Sequence, residues 1–299
     1  MEIVVFGAGS LGSLVGGVLA REHDVTLVGR EEHVRAVEED GLRLEGAIED
    51  RVEPSATTDG TELRGDLAVV TVKAFDTAEA AEALATGSFD AALSLQNGMG
   101  NEEVLAEQVD ATILAGTATY GAIRTEPGVV ECTGLGEVVL GTREGGESAV
   151  ADRVGEAFTA AGLETAVSSD MPNRLWEKLA INAGINATTA LADVDNGAIC
   201  GGEANELARA ATRESARLAR TEGVRLSNRE ALETMEAVAT ATAANTSSMR
   251  QDLLAGRPTE IDAINGYVAA RADVHGLTAP TNRTLTRLIR AWERGRDLR

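Results

Sequence analysis

The sequence predicts two domains in series, an α/β domain built on a parallel sheet and then an all-α domain. Three observations carry that expectation. The first half alternates short β-branched apolar runs with helical stretches, the signature of strands joined by crossover helices. A GxGxxG run lies between the first apolar run and the first helical stretch. After Ser168 the β-branched runs all but vanish, and long Ala-, Leu- and Arg-rich helical patterns replace them. The boundary is therefore expected near Ser168 to Met171, with domains at 1–168 and 169–299.

Taken in order, Glu2 to Phe6 reads as a strand, Leu11 to Arg21 as a helix and Val25 to Val28 as the next strand. Further strands are expected at Leu67 to Val72, Ala91 to Leu95, Ile113 to Ala122, Val129 to Glu131 and Val138 to Leu140. A helix from Ala149 to Ala161 and a short strand at Glu164 to Val167 close this half. The second half predicts helices over Met171 to Ala190, Gly202 to Glu222, Asn228 to Leu254, Thr259 to His275 and Pro280 to Glu293. Gly223, Gly256 and Gly276 follow helical stretches where a C′ glycine belongs.

A chain of 299 residues with a 43% hydrophobic share is long enough to bury two cores. No apolar run approaches the roughly 18–20 residues that span a bilayer. The start, MEIVVFGAGSLG, has no basic segment ahead of its apolar run, so no signal peptide is expected. Cys132 and Cys200 lie far apart, and with three histidines they offer neither a disulfide framework nor a zinc site. These features point to a reducing cytoplasm.

The chain holds 48 acidic against 27 basic residues, a net charge of −21. Such a surface repels nucleic acid and anionic membranes. Two of the basic residues are lysines, Lys73 and Lys178, and the rest are arginines. Acid excess with scarce lysine looks like the proteome of a salt-loving archaeon, where high salt screens the self-repulsion. A GC-rich genome that favours Arg and Ala is the blander reading.

Gly7-Ala8-Gly9-Ser10-Leu11-Gly12 occupies the first strand–turn–helix. Its glycines would permit a tight turn, close approach of a pyrophosphate and close packing of helix on strand. The helix N-terminus supplies N–H groups and partial positive charge to phosphates. A dinucleotide-binding Rossmann domain is the expectation. The second strand ends in Val28-Gly29-Arg30, and an arginine there suits the 2′-phosphate of NADP. Glu31 and Glu32 follow, so a surface arginine paired with them is the competing reading.

Where arginine replaces lysine nearly everywhere, the two surviving lysines invite a chemical explanation, since arginine cannot give up its proton in the useful pH range and a buried lysine can. Lys178, Asn182 and Asn186 are spaced i, i+4, i+8 and would project from one helix face. Asparagine is a poor helix former, so two beside a lysine, among Leu179, Ile181 and Ile185, suggest a functional stripe rather than a solvated face. Lys73 follows a strand, at the sheet edge where ligands bind in open α/β folds, and Asn97 follows the next strand. Asn97-Gly98 is equally an ordinary turn. Thr259-Glu260-Ile261-Asp262 looks like a capping box after Gly256-Arg257-Pro258, placing Glu260 in a first helical turn. A helix-start acid, and helix-surface serines at Ser247-Ser248, would be the bland readings.

Taken together, GAGSLG, the VGR arginine, VTVKAFDT, LSLQNGMG, WEKLAINAGINATTAL, DVDNG and SSMRQDLLAGRPTEIDAINGYV resemble ketopantoate reductase, in that family's order and over essentially the whole chain. The resemblance implies a Rossmann domain, a helical domain like the C-terminal domain of 6-phosphogluconate dehydrogenase, and an active site in the cleft. It implies reduction of 2-dehydropantoate to (R)-pantoate by NADPH, a step toward pantothenate and coenzyme A. Lys178 then resembles the catalytic lysine and Glu260 its acidic partner. Asn97, Asn182, Asn186, Asn196 and Ser248 resemble substrate-binding positions. Gly7, Gly9, Ser10, Leu11, Gly12, Arg30, Lys73 and Asn97 resemble cofactor contacts.

Two other functions fit the same residues: reduction of another small branched 2-oxo acid, since fold does not set substrate, and a non-catalytic NADP sensor whose helical domain binds a protein. Lys178 with Glu260 argues against the sensor. Apolar stripes on the C-terminal helices either close a core or meet a second copy of the chain in a homodimer.

Overall fold

The computed structural model describes residues 1–299, which divide into two compact units, Met1–Gln96 with Gly100–Met171 and Asn97–Met99 with Pro172–Arg299.

In the first unit the chain runs β1 (Glu2–Phe6), α1 (Ser10–Leu19), β2 (Asp24–Val28), α2 (Glu31–Asp40), β3 (Leu42–Gly46), β4 (Asp50–Val52), β5 (Ser55–Thr57) and β6 (Arg64–Val70). It continues through α3 (Thr77–Leu84), β7 (Ser88–Ser94), α4 (Asn101–Gln108), β8 (Thr112–Ala118), β9 (Gly121–Glu126), β10 (Val129–Gly134), β11 (Val138–Thr142), α5 (Ala149–Ala161) and β12 (Thr165–Val167). The large sheet has the order β12-β11-β8-β7-β6-β1-β2-β5. From β5 to β8 every pairing is parallel, the doubly wound order expected of a Rossmann domain. Only β11 joins antiparallel, to β8.

Strand alternation divides the core between the two faces of this sheet. Ile3, Val5, Leu67, Val69 and Leu93 pack in one cluster with Leu14 and Val15 of α1 and Phe158 of α5. Val4, Phe6, Ala68, Val70 and Ala92 pack in another with Ala80, Ala81 and Leu84 of α3 and Leu105 of α4.

Two expectations are corrected here. The predicted strand Ile113 to Ala122 is two strands, β8 and β9, because the chain leaves the large sheet at Thr119 and Tyr120. Gly136 passes so close there that a Cβ would meet the Thr119 carbonyl carbon at 2.4 Å. Val129 to Glu131 lies outside the parallel sheet, in a second sheet of order β4-β3-β10-β9 whose strands β3, β4 and β9 were not foreseen as separate strands, and the edge strand β5 of the large sheet was not foreseen either. Strands β3 and β4 are short, and Arg43, Glu45, Asp50 and Arg51 dilute their apolar alternation.

The second unit is helical: α6 (Met171–Ala192), a 3-10 turn over Asn196–Cys200, α7 (Gly202–Thr221), α8 (Asn228–Ala241), α9 (Ser248–Leu254), a π-helical turn over Asp262–Gly266, α10 (Tyr267–Val274) and α11 (Pro280–Arg294). Trp176, Leu179, Ala180, Ala183, Ala187 and Ala190 of α6 form a buried stripe at helical spacing. Small residues let α7 approach closely: a Cβ on Gly184 would lie 2.5 Å from the Thr212 hydroxyl oxygen, and that hydroxyl donates to the Ala180 carbonyl at 3.2 Å.

The single helix predicted over Asn228 to Leu254 is also corrected, to α8 and α9. Thr242, Asn245 and Ser247 give the backbone other hydrogen bonds in between: Asn245 N–H donates to the Thr242 carbonyl, and Ser247 Oγ caps α9 by accepting from Arg250 N–H. Thr259 to His275 likewise opens with a π turn before α10, and its start differs from a capping box. Thr259 donates its hydroxyl to Glu293 Oε1 at 2.8 Å, while its Oγ1 accepts from Ile261 N–H.

Candidate active site

The glycine-rich turn is built by β1, α1 and the residues after β6. Gly7 has φ +105°, and a Cβ on it would lie 2.6 Å from Val72 N, so this turn requires glycine. A Cβ on Gly12 would lie 2.2 Å from the Gly7 carbonyl oxygen, which sets the close seating of α1. Gly9 differs, since its Cβ would meet nothing nearer than 3.9 Å. Packing leaves room for a side chain at Gly9, so its bareness suits approach of a ligand rather than of protein. The first turn of α1 contains no acidic residue to cancel the positive end of the helix, and Ser10 and Leu11 open that turn. Thr71, which the motif reading overlooked, holds the turn by donating its hydroxyl to the Phe6 and Gly7 carbonyls at 3.1 and 2.9 Å. These features fit a dinucleotide pyrophosphate.

At the rim, Arg30 is an exposed residue at the N-cap of α2, and Glu31 and Glu32 sit in that helix's first turn, where the dipole favours carboxylates. Lys73 is half-buried, and its carbonyl accepts from Asp76 N–H at 2.8 Å. Burial, with Glu79 beside it, raises the Asp76 carboxyl above its ordinary value, while the Arg30 charge pulls the other way. Behind Lys73, the buried Gln96 side chain donates to the Val72 carbonyl at 3.1 Å and to Thr77 Oγ1 at 2.8 Å. Thr77 in turn donates to Ala74 O and to Asn101 Oδ1.

In the second unit, Lys178, Asn182 and Asn186 all lie on α6, the first two half-buried and Asn186 only 6% exposed. Asn186 Nδ2 approaches Ser248 Oγ at 3.5 Å, the outer limit of a hydrogen bond. Ser248 is the first residue of α9, and its neighbour Ser247 shares a 2.8 Å hydroxyl–hydroxyl bond with Thr189 of α6. Asn97 Nδ2 donates to Glu260 Oε2 at 3.2 Å. Glu260 lies just before the helical turn rather than within it, and its carbonyl accepts from Ala263 and Ile264 N–H. Gly98, at φ +84°, packs so tightly on Ala263 that a Cβ would lie 2.6 Å from the Ala263 carbonyl oxygen, and Met99 N–H donates to that same oxygen. Asn97-Gly98 is thus both a turn and a positioned side chain.

Asn196 is placed differently. Its Nδ2 donates to Thr242 Oγ1 and its N–H to the Asn245 carbonyl, both at 3.0 Å, so its donors serve the turn between α8 and α9. Its Oδ1 is buried with no protein partner. The sequence reading also missed Asn265, which donates from the π turn to the Ala183 carbonyl at 2.8 Å and to Asn282 Oδ1 at 3.0 Å. Asn282 is tied to Glu214 by its backbone and side-chain N–H groups. An asparagine among Ile261, Ala263 and Ile264, after the Gly256-Arg257-Pro258 break and in a stretch otherwise reading as helix, was the available signal.

Two family models match the chain, Ketopantoate reductase PanE/ApbA over residues 3–145 and Ketopantoate reductase PanE/ApbA C terminal over residues 170–293. A 2-dehydropantoate 2-reductase of Halobacterium salinarum is 48% identical, covering 98% of this chain and 99% of that protein. The crystal structure of a PanE/ApbA family ketopantoate reductase from Ralstonia eutropha has TM-score 0.92 and 33% identity, covering 99% of this chain and 100% of the other. D-mandelate dehydrogenase, solved with NADH and anilino(oxo)acetate, has TM-score 0.93 and 26% identity with both chains fully covered. No helix is long and apolar enough to cross a membrane. The chain belongs to the ketopantoate reductase family.

Proposed function

We propose that the protein reduces 2-dehydropantoate to (R)-pantoate with NADPH, a step toward pantothenate and coenzyme A. The observation that carries the chemistry is the stripe Lys178, Asn182, Asn186 on α6, a helix whose Trp176, Leu179, Ala180, Ala183 and Ala187 pack in the core. NADPH, when bound, supplies hydride to the C2 carbonyl carbon. Lys178 Nζ stabilises the negative charge that develops on the carbonyl oxygen and gives that oxygen its proton. The amides of Asn182 and Asn186 orient a small polar substrate, and the Ser248 hydroxyl donates to its carboxylate. Asn196 offers its buried Oδ1 as an acceptor. Glu260, held by Asn97, orients the ammonium or accepts from the product hydroxyl. Arg30 and Lys73 provide positive charge for the 2′-phosphate, and the turn from Gly7 to Gly12 takes the pyrophosphate.

The catalytic assignments, the domain roles of 1–168 and 169–299, a cytoplasmic location and an absence of nucleic-acid partners belong to this proposal. Oxidation of NADPH and of NADH with ketopantoate, followed from low to molar KCl, tests it. Turnover that favours NADPH and strengthens with salt is expected, and cofactor binding without turnover at any salt would overturn it.

A second substrate reading has one observation in its favour. The structural likeness to D-mandelate dehydrogenase with anilino(oxo)acetate points to other 2-oxo acids. A panel of 2-oxo acids assayed side by side separates the two, because the true substrate has the highest kcat/KM.

A further inference from the structure

A cation outside the glycine motif stands over the same turn. Arg124 lies on β9, its backbone N–H donating to Ser10 Oγ at 3.0 Å and its Nη1 to the Ala8 carbonyl at 3.4 Å. Ala8 sits between Gly7 and Gly9, so the guanidinium lies within a few ångströms of the turn itself. Because Ser10 Oγ accepts from Arg124, the Ser10 hydroxyl proton remains to be donated elsewhere.

The β9–β10 hairpin is pinned to α1 a second time. His33, 1% exposed, accepts the Gly128 N–H at Nδ1 (3.0 Å) and pairs through Nε2 with Ser13 Oγ at 2.9 Å. Acceptance at Nδ1 puts the proton of the neutral ring on Nε2, so His33 donates to Ser13, three residues on from Ser10. Burial, reinforced by the nearby Arg124 charge, lowers the His33 pKa from its ordinary 6.5 to about 4, so the staple is neutral near neutral pH. Arg124 is thereby held in place before any ligand arrives, and little ordering entropy is lost when it engages one.

We propose that Arg124 is a ligand of the dinucleotide's pyrophosphate, positioned by Ser10 and by the His33 staple between α1 and the β9–β10 hairpin. The assignment to pyrophosphate rather than to the 2′-phosphate follows from its neighbours: Ala8 and Ser10 belong to the turn at the N-terminus of α1, whereas Arg30 stands at the end of β2. A planar guanidinium and the N–H groups of a helix start form complementary sides of a phosphate site. The proposal rests on the reading of the protein as an NADPH enzyme.

Direct titration of the full chain with NADPH and with NADH, by nicotinamide fluorescence at one fixed salt concentration, tests the role without turnover. Arg124→Gln is expected to weaken both cofactors by the same factor, about tenfold for one lost charge-assisted contact. It should leave binding of adenosine 2′-phosphate, which has no pyrophosphate, as in the wild type. Arg30→Gln, by contrast, is expected to weaken NADPH and adenosine 2′-phosphate but not NADH. Wild-type affinity of Arg124→Gln for both cofactors overturns the proposal, as does a loss confined to NADPH. A parallel loss of adenosine 2′-phosphate binding overturns it too, by marking a merely structural arginine. If the wild-type chain binds neither cofactor, the NADPH reading itself fails and this one with it.

Discussion

Asn97 donates its side-chain amide to the Glu260 carboxylate at 3.2 Å, joining positions 163 residues apart in sequence. Glu260 is 6% exposed, so its carboxylate depends on such donors in place of water. Asn97→Ala is expected to lower kcat/KM about tenfold, the worth of one hydrogen bond to a charged group. Asn97→Asp is expected to be worse, because it sets two carboxylates side by side. Steady-state kinetics in constant molar KCl checks both, and unchanged values would separate this pair from the chemistry.

Lys178→Ala removes both the charge and the proton assigned to α6 and is expected to lower kcat by about 10²–10⁴-fold. Lys178→Arg restores the charge but cannot give up a proton in the useful pH range. It should recover substrate affinity more than turnover. Near-normal turnover of ketopantoate by the alanine variant would falsify the catalytic assignment.

Gly9 and Gly12 belong to one motif and fail in different ways. At Gly12 a Cβ would collide with the Gly7 carbonyl, so Gly12→Ala is expected to lower the melting temperature of the free protein. At Gly9 the nearest atom is 3.9 Å away, so Gly9→Ala should melt like the wild type yet bind NADPH weakly. Melting with and without NADPH measures both, and a Gly9→Ala chain with full cofactor affinity would contradict the pyrophosphate placement.

Glu102, 3% exposed in the first turn of α4, has its carboxyl pushed up from 4.5 to about 7 by burial, with the Glu103 charge adding to the rise. The native chain therefore keeps a proton that the unfolded chain releases between those values. The resulting stability is fully present below about pH 4.5 and is lost as pH rises through about 7, an upper limit of about 3 kcal/mol. Glu102→Gln is expected to raise the melting temperature at about pH 8 and to change it little at about pH 4.5. A gain of equal size at both would remove titration as the cause.

His33 contributes the opposite slope. Its folded pKa of about 4 lies below the ordinary 6.5, so its contribution is fully present above about 6.5 and is lost as pH falls toward 4. His33→Gln, uncharged throughout, is expected to flatten the fall in melting temperature across that window. An unchanged acid limb would place the acid sensitivity elsewhere.

Much of this protein is legible in one dimension because its signals are local. The turn Gly7 to Gly12, the parallel strands, the long helix α6 and the common face of Lys178, Asn182 and Asn186 all follow from spacing over a few residues. The breaks were less legible. Alanines before and within 242–247 read as continuous helix, and only the hydrogen bonds of Thr242, Asn245 and Ser247 end α8 and start α9. The polar alternation of β3 and β4 is likewise too short to read without the partner strand β10 beside it.

What the sequence determined by itself was the α/β half followed by the helical half, the glycine-rich turn between β1 and α1 and the residue types able to move a proton, since each depends on backbone propensity or on intrinsic side-chain chemistry. Tertiary structure alone decided which distant groups meet: Asn97 with Glu260, Arg124 with Ser10, and His33 between Ser13 and Gly128. Those pairings arise from loop closure and the packing of whole elements, and a contact between positions so far apart leaves no periodic trace in the chain.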